Sequence, residues 1–314
     1  MKTRHSHLIA ALLLSLLPLQ SVAEQRIANN SDAEIRVIAN DLSSNDQQKI
    51  HQWLSKLVGS IEYTFGKFPL ERANFNVRTT RSSREPIPWG QIKRRGTEGI
   101  HFVVDPSYPL KRFNQDWTGY HEIAHLMIPY PGDEDLWLSE GLASYWQQFL
   151  RYNAGVLTEQ QAWQALYAGF QRGERDTRYS SIPLYRLSDD MHSKRSYMRV
   201  YWSGAAFWLE AEYLMLSQQH TSVVTRLANA YRPYRTQSFT SGERVIRALS
   251  GEQWPQLSRL YRKWQESHGL QMPLKALDWF GVKVQKGKVR LNPNSPFPER
   301  RQLAYRAAPS DNRN

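Results

Sequence analysis

The chain has 314 residues, no cysteine and a formal net charge of +12 at pH 7. The lack of cysteine excludes disulfides, thiolate metal sites and cysteine nucleophiles, so any metal must be held by His, Asp or Glu. With 40% hydrophobic and 22% charged residues, the composition is that of a globular protein. The basic balance favours anionic neighbours such as nucleic acid, lipid head groups or envelope polymers.

The amino terminus has the pattern of a secretory signal peptide. Lys2 and Arg4 precede an apolar stretch at 8–19, and small residues follow at 21–23. We expect cleavage after Ala23 and a periplasmic or secreted protein. The apolar stretch is too short to span a bilayer and no second one follows, so no transmembrane segment is expected. Nucleic acid is not an expected partner after export, and anionic envelope polymers stay a possible one beside a generally basic surface.

The first third of the chain shows strand patterns and one amphipathic helix. Alternation predicts strands at 34–39, 75–79 and 99–104, and a stripe of apolar residues predicts a helix at 44–65. The stretch 81–95 is rich in Ser, Pro and Arg, which predicts an exposed loop.

From residue 117 onward the pattern is mainly helical. The predicted helices are 117–128, 136–153, 159–172, 200–217, 221–231, 242–249 and 252–268. Thr158 and Gln161 have the spacing of a capping box. Two short strands around a Gln-Lys-Gly turn predict a hairpin at 282–291, and the polar, Pro-rich sequence past Asn292 predicts a partly ordered tail.

These elements indicate an α+β fold with strands first and helices after them. We predict a signal peptide at 1–23, a strand-rich amino-terminal subdomain at 24–116 and a helical subdomain at 117–270. A carboxy-terminal hairpin and tail would cover 271–314.

The motif that carries chemistry is His121-Glu122-Ile-Ala-His125. Residues four apart on a helix lie on one face, so both imidazoles would point at one metal ion. Glu122 would lie beside that ion and could take a proton from water. Because the other residues of this helix are apolar, the polar side chains need partners, and zinc would provide them.

The spacing of a third ligand separates the known classes of such sites. Position 131, where metzincins have His, is Pro131, and position 144, where the thermolysin pattern has Asp, is Ser144. Glu140 remains the favoured third ligand because it begins a second apolar helix. Its rivals follow a Pro-Gly turn and are expected on the rim: Asp133, Glu134 and Asp135.

The segment 135–143, Asp-Leu-Trp-Leu-Ser-Glu-Gly-Leu-Ala, resembles the third-ligand segment of the aminopeptidase N family. Val200-Tyr201-Trp-Ser-Gly204 is similar to the family's Tyr-x-x-Gly segment, which implies a catalytic role for Tyr201. Glycyl aminopeptidase-like and other peptidase MA-like gluzincins share this weaker pattern. The resemblance implies a zincin-like (thermolysin-like) catalytic domain with one zinc ion, although the loop between the ligand helices is shorter than the family's.

One family feature is missing. Aminopeptidases of this family carry a Gly-x-Met-Glu-Asn strand whose acid holds the free amino terminus of the substrate. The corresponding strand is expected at 97–102, which has a Glu but not the motif, so specificity for amino termini is not implied. That strand would still border the cleft and could pair with an extended peptide.

The sequence therefore predicts a secreted zinc peptidase with peptide or protein substrates. His121, His125 and Glu140 would bind zinc, Glu122 would be the general base and Tyr201 would bind the developing oxyanion. The alternative is a non-catalytic zinc-containing envelope protein that binds peptides or anionic envelope polymers. The remaining histidines of the mature chain are expected at surface or hydrogen-bonded positions: His51, His101, His192, His220 and His268.

Overall fold

The computed structural model describes residues 23–39, 42–231, 235, 237–251 and 254–309. The predicted signal peptide, apart from Ala23, lies outside the described residues, as do residues 252–253 of the last predicted helix. Within the described ranges, no helix has both the length and the apolar character needed to cross a membrane. The predicted subdomain boundaries stay predictions.

A five-stranded sheet forms the amino-terminal part. Its strands are β1 (Ala23–Arg26), β2 (Glu34–Ala39), β3 (Arg72–Thr79), β4 (Trp89–Lys93) and β5 (Gly99–Val104), in the order β1-β2-β3-β5-β4. The three central strands β2, β3 and β5 are parallel, and β1 and β4 are antiparallel to their neighbours. The predicted strands at 34–39 and 99–104 are confirmed with the same bounds, and the one at 75–79 is the end of β3.

Two predictions about the sheet were wrong. The stretch 81–95 is not all loop, because it contains β4 at the sheet edge. The segment 97–102 is not a cleft strand open to a peptide, because β5 is paired with β3 on one side and β4 on the other. An edge strand needs no continuous apolar pattern, since it is only partly covered, and the apolar residues Trp89 and Ile92 of β4 do not have the two-residue period that predicts a strand.

Helix α1 (Ser44–Phe65) covers one face of the sheet. Ser43 caps its first turn by accepting a hydrogen bond from the Asp46 backbone, and Gly66 ends it in the left-handed conformation. Trp53 on its apolar stripe packs edge-on against Phe102 of β5, with ring centroids 5.0 Å apart. This contact joins the helix to the centre of the sheet.

The rest of the chain is mainly helical, as predicted. The further helices are α2 (Leu110–Gln115), α3 (Thr118–Ala124), α4 (Leu136–Asn153), α5 (Glu159–Arg175), α6 (Leu184–Asp189), α7 (Met191–Lys194), α8 (Tyr197–Gln219), α9 (Val223–Tyr231), α10 (Gly242–Ser250), α11 (Gln256–Gln265), α12 (Leu274–Trp279) and α13 (Phe297–Tyr305). The hairpin consists of β6 (Val282–Gln285) and β7 (Lys288–Leu291). The helix predicted at 136–153 is α4 with the same bounds, and both hydrogen bonds of the Thr158 capping box are present.

In the tail past Asn292, which the sequence predicts to be partly ordered, residues 297–305 form α13 and pack against the rest of the chain, while residues 310–314 lie outside the described residues. Helix α13 buries Arg301 and Tyr305, and both side chains donate hydrogen bonds to Glu159 at the start of α5. Arg301 also donates to the carbonyl of Phe280. A polar sequence gave no amphipathic signal because the burial rests on these specific long-range contacts rather than on an apolar stripe.

Helices α4 and α8 cross in direct backbone contact at a pair of glycines. A Cβ at Gly204 would lie 2.0 Å from the carbonyl oxygen of Trp137, and one at Gly141 would lie 2.3 Å from the backbone of Gly204. Near the same crossing, the indole of Trp208 donates a hydrogen bond of 2.8 Å to the Leu138 carbonyl. The two helices can therefore approach this closely only because Gly141 and Gly204 have no side chains.

We predict that Gly204→Ala lowers the free energy of unfolding by about 2–3 kcal/mol, because the added methyl must push backbone rather than a flexible side chain. The control is Gly59→Ala, an exposed position in α1 where an added Cβ meets nothing within 4 Å. That substitution should raise stability by about 0.5–1 kcal/mol through helix propensity. Urea unfolding measures both, and equal stability of Gly204→Ala and wild type would contradict the crossing described here.

Candidate metal centre

The two predicted histidine ligands and Glu122 lie on a short buried helix. Residues Thr118–Ala124 form α3, which continues as a 3₁₀ turn at His125–Met127, so the predicted helix at 117–128 is confirmed in this form. The imidazole centroids of His121 and His125 are 4.9 Å apart. At Gly119 an added Cβ would touch Trp53 at 2.8 Å, which shows how closely α3 lies against α1.

Helix α4 places Glu140 directly opposite both imidazoles. Its Oε2 atom is 3.1 Å from Nε2 of His121 and 3.6 Å from Nε2 of His125. Among the described residues, these three form the group of His and acidic side chains whose potential ligand atoms lie within 4.8 Å of one another. The structure therefore brings together the three residues that the sequence predicted as metal ligands.

The donor set fits a zinc ion. The Nδ1 atoms of both histidines, which point away from Glu140, form hydrogen bonds. Nδ1 of His121 lies 3.0 Å from Oε1 of Gln147, and Nδ1 of His125 lies 3.0 Å from the Ser139 hydroxyl. With the Gln147 oxygen as acceptor, Nδ1 of His121 would carry the proton and Nε2 would present its lone pair to Glu140. Two acceptors face each other stably only across a proton or a cation. Ligand atoms of a tetrahedral zinc site are about 3.3 Å apart, a value between the two observed distances.

The pKa shifts of Glu140 and His121 show that the carboxylate and the imidazoles stabilise each other's charged forms. Burial alone would raise the pKa of Glu140, but the two histidines outweigh it and hold that pKa well below its ordinary value. Burial alone would lower the pKa of His121, but the hydrogen bond and charge of Glu140 raise it instead. A positive charge is thus favoured at the point where the three side chains converge.

The rival carboxylates do not join this group. Asp135 is buried away from it, where it accepts hydrogen bonds from the Tyr261 hydroxyl and from the Gly242 backbone at 3.1 Å. The expectation that Asp135 lies on the rim was wrong, because it holds α10 and α11 against the start of α4. Asp133 lines the cleft and accepts the Tyr130 hydroxyl, and Glu134 is exposed.

Glu122 is enclosed between α3 and the edge strand β4. A Cβ at Gly90 would lie 2.6 Å from its Cγ, so this strand position has room only for glycine. Burial raises the pKa of the Glu122 carboxyl, and the neighbouring His121 and His125 oppose that rise. The carboxylate therefore has a fixed position beside the histidines.

Tyr201 reaches the same place from α8. Its ring stacks on that of His121, with centroids 5.7 Å apart and an angle of 15° between the planes. Burial raises the pKa of its phenol, and the Glu140 carboxylate raises it further, so the hydroxyl stays protonated and can donate a hydrogen bond. All five side chains that the sequence singled out lie around one point.

These residues open into a cleft of about 710 Å³ with β4 along one side. Three of the large apolar side chains on the described surface line it: Trp89, Trp117 and Phe239. His192 lines it as well, which the sequence did not indicate because this residue lies on the short helix α7 with no motif around it. His101 is on the interior strand β5 and does not line the cleft.

Comparison with known proteins agrees with this geometry. Residues 130–206 match the family model of the M61 glycyl aminopeptidase peptidases, a segment that contains Glu140 and Tyr201. None of the curated proteins matches the sequence.

Two solved structures illustrate the structural likeness. An aminopeptidase N family protein from Idiomarina loihiensis has a TM-score of 0.63 and 16% identity, covering 85% of this chain and 50% of that chain. An M1 zinc metallopeptidase from Deinococcus radiodurans has a TM-score of 0.47 and 17% identity, covering 79% of this chain and 52% of that chain. The chain thus spans about half the length of each protein.

The likeness to the first structure confirms the predicted fold class, α+β and zincin-like. Together with the matched segment and the grouped ligands, it confirms the resemblance to gluzincins at the level of the core.

Proposed function

We propose that this protein is a zinc-dependent peptidase. The observation that carries the proposal is the convergence of His121, His125 and Glu140 on one point, with Glu122 beside them in an open cleft. A zinc ion held by those three residues would polarise a peptide carbonyl and lower the pKa of a bound water to about 7. A purely structural metal site has no need of a carboxylate such as Glu122 beside its ligands.

In this proposal Glu122 moves the proton. It accepts a proton from the attacking water and delivers it to the nitrogen of the leaving amine. The wall formed by Gly90 keeps the carboxylate at the histidines rather than out in solvent.

Tyr201 donates a hydrogen bond to the oxygen that becomes negative during attack. Its protonated hydroxyl and its fixed stacking on His121 are what such a donor needs. The substrate would lie along β4, the last strand of the sheet, where main-chain groups could form hydrogen bonds with an extended peptide. Trp89 and Trp117 would contact its side chains.

We predict that Glu122→Gln keeps zinc bound but lowers kcat by about 10²–10⁴-fold, because the amide cannot accept the proton. The matched control is Glu85→Gln, which changes another carboxylate that lines the cleft and should stay close to wild type. Zinc content by atomic absorption and cleavage of a mixed peptide library by mass spectrometry measure the two properties. Full activity of Glu122→Gln would contradict this role. A zinc-loaded wild type that cleaves no peptide would favour the non-catalytic alternative.

We predict that Tyr201→Phe lowers kcat by about 10²-fold with little change in KM, because the lost hydrogen bond forms mainly in the transition state. Tyr197→Phe is the control, since Tyr197 lies one turn earlier on α8 and contacts Tyr201 at 6.2 Å between ring centroids. An equal loss in both variants, or a loss confined to KM, would contradict an oxyanion contact.

We also propose that the protein is exported and acts outside the cytoplasm, on the strength of the apolar stretch at 8–19 and the small residues before Glu24. Amino-terminal sequencing of the protein from a periplasmic fraction should begin at Glu24. Recovery of uncleaved protein in the cytoplasmic fraction alone would contradict export.

A further inference from the structure

A buried cluster of three charged residues lies next to the metal centre. Oε1 of Glu98 accepts a hydrogen bond from Arg94 and another from Arg235, each at 2.5 Å, and its Oε2 accepts the Ser238 hydroxyl at 2.9 Å. The exposed fractions of the Arg94, Arg235 and Glu98 side chains are 7%, 1% and 7%. The cluster joins the connection between β4 and β5 to Arg235 and Ser238.

Both arginines also donate to the end of the helical segment that carries the histidines. Arg94 donates a hydrogen bond of 2.8 Å to the carbonyl of His125, and Nε of Arg235 donates one of 3.4 Å to the carbonyl of Leu126. The last carbonyls of a helix have no partner within the helix, so a buried helix end requires outside donors. Here those donors are charged, which makes the hydrogen bonds stronger.

The cluster is not self-neutral, because two guanidinium groups share one carboxylate. Burial, with the nearby charge of Arg235, lowers the pKa of Arg94 to about 10. The negative ends of the carbonyl dipoles at His125 and Leu126 supply the remaining compensation. The arginines and this helix end therefore depend on each other, and the position of His125 depends on the cluster.

We propose that Arg94, held by Glu98 and Arg235, is a positioning residue that fixes His125 for metal binding. This inference rests on the proposed zinc site but concerns residues that are not among the three proposed metal ligands. Arg94 directly follows the last residue of β4, the strand proposed to bind the peptide. Its hydrogen bond to the His125 carbonyl therefore connects that strand to a proposed metal ligand.

Arg301 is a matched control that separates a general contribution of a buried arginine to stability from the positioning of His125 by Arg94. Arg301 is also buried, donates to one carboxylate (Glu159, 2.8 Å) and donates to two backbone carbonyls (Phe280 and Asn292). These partners lie in the carboxy-terminal hairpin region and at the start of α5, away from the metal ligands.

The experiment compares Arg94→Met, Arg94→Lys and Arg301→Met in the full-length protein. The zinc dissociation constant is measured by competition with a chromogenic chelator, and the ligand geometry by the visible absorption of the cobalt-substituted protein. We expect Arg94→Met to raise the zinc dissociation constant about tenfold and to alter the cobalt spectrum, as loss of a group that orients a ligand does. Arg94→Lys keeps the charge but not the fork of donors, so its loss should be smaller.

Arg301→Met should lower the unfolding midpoint while zinc affinity and the cobalt spectrum stay as in wild type. Unchanged zinc affinity of Arg94→Met, or an equal loss in Arg301→Met, would overturn the inference. If Arg94→Met does not fold, Arg94→Lys decides, and wild-type affinity in that variant would overturn the inference too. Wild-type protein that binds no zinc would instead contradict the proposed function.

Discussion

Backbone contact between α4 and α8 at Gly141 and Gly204 is the constraint on which the candidate site depends. Glu140 immediately precedes one glycine, and Tyr201 lies one turn before the other. A larger residue at either position would move the helices apart and would withdraw Glu140 from the histidines or Tyr201 from its stacking on His121. The Glu-Gly and Tyr-x-x-Gly patterns therefore have one common physical cause, which is the closeness of this crossing.

Helix α4 does more than supply the third ligand. Ser139 and Gln147 on the same helix contact the Nδ1 atoms of His125 and His121, while Glu140 faces their Nε2 atoms. One rigid helix thus sets the orientation of both imidazoles as well as the third side of the site. The histidine helix is in turn held by α1 at Gly119 and, at its carboxyl end, by the buried arginines.

The parts of this structure that could be predicted from sequence are those with local signals. The four-residue spacing of His121 and His125 is a property of any helix, and α4 has an apolar pattern along its whole length. Strand β4 could not be predicted, because its five residues have no two-residue apolar period and its pairing with β5 is decided by the rest of the sheet. The contact of Arg94 with His125 and the burial of α13 rest on partners far away in the chain, for which a single sequence carries no periodic signal.

Gly90 brings the edge strand so close to Glu122 that the two form one wall of the cleft. A peptide paired with this strand could shift along it only in steps of two residues, about 6.8 Å, if it kept its main-chain hydrogen bonds and the faces of its side chains. The strand would then set the register of the bound peptide as well as bind it. The choice of the bond to be cut would depend on which alternate side chains fit the cleft, and not on the identity of the residues at that bond alone.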